Sequence, residues 1–149
     1  LSFQLIRGDL LESDAIAICH QVNCRNAMGS GIAAVIAAKW PIVKERYSKA
    51  FDNLKDWTSL LGKIQTVKID HGRYVVNIFG QDDYGRNGVY TDYTALTRAF
   101  KQLNRRFAGQ TVAFPFGFGC GLGGGDWQNI ERMMLLLLPD CDVEVYLKG

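Results

Sequence analysis

The run Ala15-Ile16-Ala17-Ile18-Cys19 is apolar at both parities. Successive side chains of a strand point to opposite faces, so such a run has to be covered on both sides. It predicts a central strand of an α/β domain, with helices packed above and below. The strand is expected to end at His20, where the polar, glycine-rich stretch QVNCRNAMGSG begins. A helix is predicted from Ile32 to Lys39, stopping before Pro41, because the residue before a proline disfavours helical geometry.

The remaining elements follow from periodicity and breakers. Phe3–Arg7 reads as a strand closed by Gly8-Asp9, and Val43, Tyr47, Phe51 and Leu54 recur at helical spacing over 43–54. Ile64–Ile69 and Arg73–Phe79 read as two strands, and the short Asp70-His71-Gly72 link predicts a hairpin with His71 exposed. After a polar stretch over 80–88, a helix is predicted from Thr91 to Phe107. Its apolar stripe is Tyr93, Leu96, Phe100, Leu103 and Phe107, and Gly109 stops it. Thr111–Phe114 is a short strand, Trp127–Leu138 a helix broken at Pro139, and Val143–Leu147 a strand with one wetter face. The order β-β-α-α-β-β-α-β-α-β predicts a mixed, mostly parallel sheet between helical layers. At 149 residues, one domain over 1–149 is expected.

Composition narrows the function classes. The densest apolar run, Met133–Leu138, is far too short for a membrane span. The net charge is +2, with basic residues scattered except for Lys101, Arg105 and Arg106 on one helix. That cluster reads as a solvated face, so nucleic acid is not an expected partner except as a modified substrate. The four cysteines form no CxxC pair and two histidines complete no zinc pattern, so no metal or cofactor is expected. No signal peptide is visible, and the cysteines read as thiols of a reducing compartment, which sets the expectation of a cytoplasmic chain. A monomer is expected.

Two strand–loop–helix junctions carry the chemistry. One runs from Asn23 to Gly31; the other is PFGFGCGLGGGD, 115–126, with six glycines between 117 and 125. Glycine at such density weakens packing and is not needed for a simple turn, but it lets backbone N–H groups approach a phosphate at a helix start. Neither junction is a Walker A loop, since the Gly-Lys-Ser/Thr ending is missing. Asp9 reads either as an acceptor for an adenine amino group or as a turn cap.

GDLL at 8–11, HQVNCRNAMGSGIA at 20–33 and PFGFGCGLGGGDW at 115–127 together resemble the macro domain. The resemblance implies a three-layer α/β/α sandwich around a mixed six-stranded sheet, with ADP-ribose in a cleft. Asp9 and Leu10 would hold its adenine end. Gly29, Ser30, Gly31 and Ile32 would wrap the diphosphate from one side, and Gly119, Cys120, Gly121 and Leu122 from the other. Asn23 would face the distal ribose, while Phe79 and the polar segment after it would form a wall.

Relatives that cleave ADP-ribose esters covalently use a wall lysine and an aspartate after GCGL. Here the wall reads FGQDDYGRNG and the residue after Leu122 is Gly123, so neither group is in place. The Asn-Ala-Ala-Asn run of the common deacylating relatives is replaced by Gln21-Val22-Asn23-Cys24. The pattern is more similar to the yeast-type ADP-ribose 1''-phosphate phosphatases, which implies His20 and Asp126 as the reacting groups. Histidine can supply a proton near neutral pH, and an aspartate can position water or attack phosphorus. ADP-ribosyl hydrolysis on protein or nucleic acid, and simple ADP-ribose binding, are the competing expectations.

Plainer readings accompany these roles. His20 can serve as a buried strand residue bonded to backbone, and Asp126 is a good helix N-cap before Trp127. Asp82 and Asp83 read as loop carboxylates or pocket supports. Tyr84 and Tyr90 read as packing residues or a ribose platform.

Overall fold

Alternate residues of one strand point into two separate cores in the computed structural model, which describes residues 1–148. Strand β2 (Ala17–Val22) sends Ala17 and Cys19 to one side of the sheet and Ile18 and Val22 to the other. The double-parity apolar run therefore has the two-sided cover it requires.

The sheet has six strands in the order β1-β6-β5-β2-β4-β3. They are β1 (Phe3–Arg7), β2, β3 (Ile64–Asp70), β4 (Arg73–Phe79), β5 (Thr111–Pro115) and β6 (Asp142–Leu147). Every neighbouring pair is parallel except the β3–β4 hairpin. His71 and Gly72 at that hairpin have φ of 31° and 82°, the left-handed pair that matches the twist of the flanking strands. Helices α1 (Gly31–Lys39) and α2 (Pro41–Lys49) cover one face; α3 (Tyr93–Arg106) and α4 (Trp127–Leu137) cover the other. This is the expected three-layer, mixed six-stranded α/β/α architecture.

Three boundaries differ from the sequence expectation. β2 runs on to Val22, because pairing with β4 continues through His20↔Asn77 and Val22↔Phe79. His20 is thus a mid-strand residue, where a strand end was expected. Pro41 opens α2, since its missing N–H costs nothing in a first turn. The same helix ends at Lys49 and not near Leu54: Phe51 is buried through a turn that follows it.

The strand order explains where a ligand could enter. β2 and β5 are neighbours, yet β2 leads to α1 on one face and β5 leads to α4 on the other. Adjacent parallel strands whose following helices diverge leave a crevice at their carboxyl ends.

Candidate functional site

The first loop is held by one carboxamide. Asn23 Oδ1 accepts the Arg25 N–H at 2.9 Å and lies 2.8 Å from the buried Tyr47 hydroxyl. Its Nδ2 donates to the Ala27 carbonyl at 2.8 Å. Asn23 lines the cleft, but both ends of its side chain serve the loop. Beyond it, Ser30 sits in extended backbone at the cap of α1, and its hydroxyl makes no cap hydrogen bond. The first-turn N–H groups of α1 are therefore open to a ligand, with the positive end of the helix dipole behind them. A Cβ added at Gly29, Gly31 or Gly121 would meet no atom within 4 Å. No neighbouring atom crowds these three glycines; the φ of +60° at Gly31 calls for glycine by itself, and close approach of a ligand to the backbone is a reason for Gly29 and Gly121.

The second loop is built against the wall segment. Gly119 O accepts from Thr91 Oγ1 at 2.6 Å and from Gly125 N–H at 2.9 Å. Gly123 O accepts from the N–H groups of Tyr90 and Thr91 at 2.7 and 2.9 Å. Backbone bonds take up the N–H groups of Cys120, Gly124 and Gly125, but not those of Gly121 and Leu122. At Gly124, φ is +72° and a Cβ would collide with the Gly88 carbonyl, so this glycine is demanded by the fold. Cys120 points away from the cleft: its thiol donates to Phe118 O at 3.4 Å, and desolvation pushes its pKa up to about 11.

The wall, residues 80–92, is pinned at its base. Gln81 and Thr91 form a bridge, and Asp92 N–H donates to Gly80 O at 2.7 Å. Gln21 on β2 joins them, donating from Nε2 to Gln81 Oε1 at 2.6 Å and to Thr91 Oγ1 at 3.0 Å. Arg25 of the first loop pairs with Asp82 at 3.2 Å and Asp83 at 3.9 Å. Tyr84, Gly85 and Arg86 then overhang the crevice.

Together these segments enclose a cleft of about 670 Å³, within the range of small-molecule sites. Of the residues singled out from sequence, Asn23, Gly29, Ser30, Gly31, Ile32, Gly119, Gly121 and Leu122 line it. Asp9, Leu10, Phe79, Cys120, His20 and Asp126 do not. Asp9 caps a short 3-10 turn, accepting the Leu11 N–H at 3.0 Å, and Leu10 is core. Phe79 was expected on the wall but is buried, stacked on Tyr47 with centroids 5.9 Å apart, because β4 carries it into the core below the first loop.

His20 has no solvent exposure. Its Nε2 lies 2.5 Å from Asn77 Oδ1, Asn77 Nδ2 donates to Gln65 Oε1 at 2.9 Å, and Gln65 Nε2 donates to Arg46 O at 2.8 Å. The three side chains sit opposite one another on β2, β4 and β3. Nε2 must carry the proton, and Nδ1 has no partner among the described residues. Burial lowers the pKa to about 4 against the raising effect of the Asn77 bond, so the ring is neutral at pH 7. Asp126 is exposed and caps α4, accepting the Gln128 N–H at 3.0 Å.

Sequence reading missed Gln21 and Phe116 as cleft residues, and named the stretch holding Gln81 and Arg86 without either residue. Gln21 was legible only if β2 were extended to Val22. Phe116 is half-exposed on the cleft, against Trp127 at 4.8 Å, and nothing in PFGFG tells it from buried Phe118. Among the described residues lining the cleft there is no carboxylate or imidazole; the ionisable groups are Tyr84 and Arg86.

No protein-family model matches the chain. Over 146 residues it is 29% identical to the DNA ADP-ribosyl glycohydrolase of Mycobacterium tuberculosis, covering 93% of this chain and 40% of that protein. The chain thus spans about two-fifths of the length of that relative. It is 29% identical over 162 residues to the ADP-ribose 1''-phosphate phosphatase of Lodderomyces elongisporus, covering 98% of each. Among solved structures, a Bacteroides thetaiotaomicron protein of unknown function superposes with a TM-score of 0.86 at 25% identity over 98% of each chain. The macrodomain of M. tuberculosis DarG does so at 0.78 and 25% over 99% of this chain and 98% of that one. Thermosipho africanus DarTG, solved in complex with ADP-ribose, superposes at 0.78 and 19% over 98% of this chain and 41% of that one.

Proposed function

We propose that this chain, which has the macrodomain fold, hydrolyses ADP-ribose conjugates by displacing the group on C1'' of the distal ribose. The observation that carries the reading is the uncapped N-terminus of α1 facing the open N–H groups of Gly121 and Leu122 across the cleft. A diphosphate fits that pair of donors, one on each side. Gly29, Ser30, Gly31 and Ile32 take one side of it, Gly119, Gly121 and Leu122 the other. We place the adenine end toward Asp9, which follows β1 outside the cleft lining, and the distal ribose toward Gln21, Asn23 and Gln81 at the ends of β2 and β4.

The lining favours one type of bond cleavage. Breaking the P–O bond of a 1''-phosphate needs a proton for the departing sugar oxygen, and the described residues lining the cleft include no imidazole or carboxylic acid, which leaves the Tyr84 phenol as the side-chain acid at hand. Attack by water at C1'' forms a C–O bond, and the electron pair of the old C1''–O bond leaves with the phosphate. The proton shed by the attacking water is taken up by the departing phosphate, which leaves as the hydrogen phosphate dianion, so the step balances without an acid on the protein. His20 then serves as a buried strand residue tied to Asn77, and Asp126 as a helix cap.

Phosphate is the leaving group we favour, supported by the end-to-end likeness to the Lodderomyces phosphatase and by the HxxNC and GGGDW motifs. Removal of ADP-ribose from nucleic acid is the second reading, supported by the likeness to the mycobacterial glycohydrolase. The test is a side-by-side assay in ¹⁸O-water with ADP-ribose 1''-phosphate, ADP-ribosylated DNA and ADP-ribosylated protein. Unlabelled phosphate, and ADP-ribose that takes its C1'' oxygen from the labelled water, are the expected products. Label in the phosphate would overturn displacement at C1''. Release from DNA or protein alone moves the assignment to those conjugates. Tight ADP-ribose binding with no turnover of any of them would make the chain a binding module.

A further inference from the structure

A 1''-phosphate, the substrate proposed above and the one on which the role of Arg86 depends, carries a second anionic centre beyond the diphosphate. We infer that Arg86 is the residue that selects it. Arg86 is the cationic side chain among the described residues lining the cleft, and it joins none of the ion pairs among them. Its segment also carries two carboxylates, Asp82 and Asp83, but Arg25 holds both at 3.2 and 3.9 Å, and neither lines the cleft. The wall therefore presents a positive side chain to the crevice although its own sequence over 80–92 sums to −2, from Asp82, Asp83 and Asp92 against Arg86.

The backbone that carries Arg86 is held in place. The Gln81–Thr91 bridge closes the segment, the Gly123 carbonyl receives Tyr90 and Thr91, and the Tyr90 ring packs so closely on Gly85 that a Cβ there would overlap its hydroxyl. The segment follows β4, whereas Asp9 follows β1 at the far edge of the sheet, so Arg86 belongs with Gln81 at the end we assign to the distal ribose. The α1 dipole, equivalent to about half a charge, and the N–H groups of the second loop meet the diphosphate. A monoester dianion added beyond it needs a full cation, and a guanidinium can grip two of its oxygens at once. The same contact strengthens as C1''–O breaks and charge gathers on the departing phosphate.

The experiment compares wild type, Arg86→Gln and Arg86→Lys. Arg86→Gln is expected to lower kcat/KM for ADP-ribose 1''-phosphate about 30- to 100-fold, the scale of one charge-assisted contact, while calorimetric Kd for ADP-ribose moves less than about threefold. Arg86→Lys, which keeps charge and loses the fork, is expected about threefold to tenfold down. Unchanged kcat/KM, or a parallel loss of ADP-ribose affinity, would overturn the assignment. If wild type binds ADP-ribose but turns over nothing, the proposed activity fails, and Arg86 is judged on affinity alone. Binding of the 1''-phosphate at least about tenfold tighter than ADP-ribose, with that preference erased in Arg86→Gln, supports it. Equal affinities of wild type for the two would defeat it.

Discussion

The two glycine-rich loops deliver a helix to the same edge of the sheet and finish those helices in opposite ways. At α1 the cap position is Ser30, whose hydroxyl makes no cap bond; at α4 it is Asp126, whose carboxylate accepts the Gln128 N–H. One terminus keeps its donors and its dipole available, and the other satisfies them internally with a negative charge. The glycines divide along the same line. Gly29 and Gly31 face open space, whereas Gly123, Gly124 and Gly125 are crowded by backbone of the same loop or of the wall. The first loop is therefore a ligand surface on a fixed support, and much of the second is a support, with Gly121 and Leu122 as its ligand-facing portion. A glycine-rich string offers the helix terminus behind it to an anion only where the cap is missing.

The sharpest way to break this contrast is to close the open terminus. Ser30→Asp is expected to cap α1 and raise stability by about 0.5 kcal/mol, while weakening ADP-ribose binding about 100-fold by placing a carboxylate where the diphosphate belongs. Calorimetry and thermal unfolding on the same sample read both effects. A variant that is more stable and binds normally would put the diphosphate elsewhere.

His20, directly under the first loop, tests whether that loop's support is as separate from chemistry as its geometry indicates. Its folded pKa of about 4 lies below its unfolded value, so the unfolded chain binds the extra proton between them. Stability from keeping the ring neutral is complete above about pH 6.5 and falls as pH drops toward 4. Between pH 7 and pH 5 the wild type is expected to lose about 2 kcal/mol more than His20→Gln, read by urea unfolding at both values. Equal losses would mean that His20 is protonated in place, and would return it to the candidates for proton donation.

Opening the closed terminus is the mildest of the three. Asp126→Ala is expected to cost about 1 kcal/mol in urea unfolding, and Asp126→Asn almost nothing, since asparagine caps equally well. With the cap preserved, Asp126→Asn is also expected to keep phosphate release within about twofold. Loss of release in that variant would restore a chemical role at α4 and erase the contrast between the two loops.

Most of the fold was legible because hydrophobic period and breakers are local. The double-parity run at 15–19, the hairpin at Asp70–Arg73 and the stripe from Tyr93 to Phe107 each carried their own signal. The site was legible only in part. Gly29 to Ile32 and Gly119 to Leu122 could be named from composition and resemblance, but Cys120 turns its thiol into the loop, and the end of β2 was misplaced. That boundary is set by pairing with β4, a strand more than fifty residues away in sequence. The error moved His20 from a buried position to an apparent loop edge, and it hid Gln21.

The sequence alone determined that helices must cover both faces of β2 and that two flexible, glycine-rich turns follow β2 and β5. Burial of apolar side chains at alternating positions leaves little freedom in the first, and chain flexibility in the second is a property of each residue. Tertiary structure decided which helix terminus stays open, which carboxylates of the wall are neutralised by Arg25, and which cation is left facing the cleft. Those outcomes depend on hydrogen bonds and charges brought together from distant strands, where a single partner such as Gln128 N–H or Arg25 changes what a residue has left to offer.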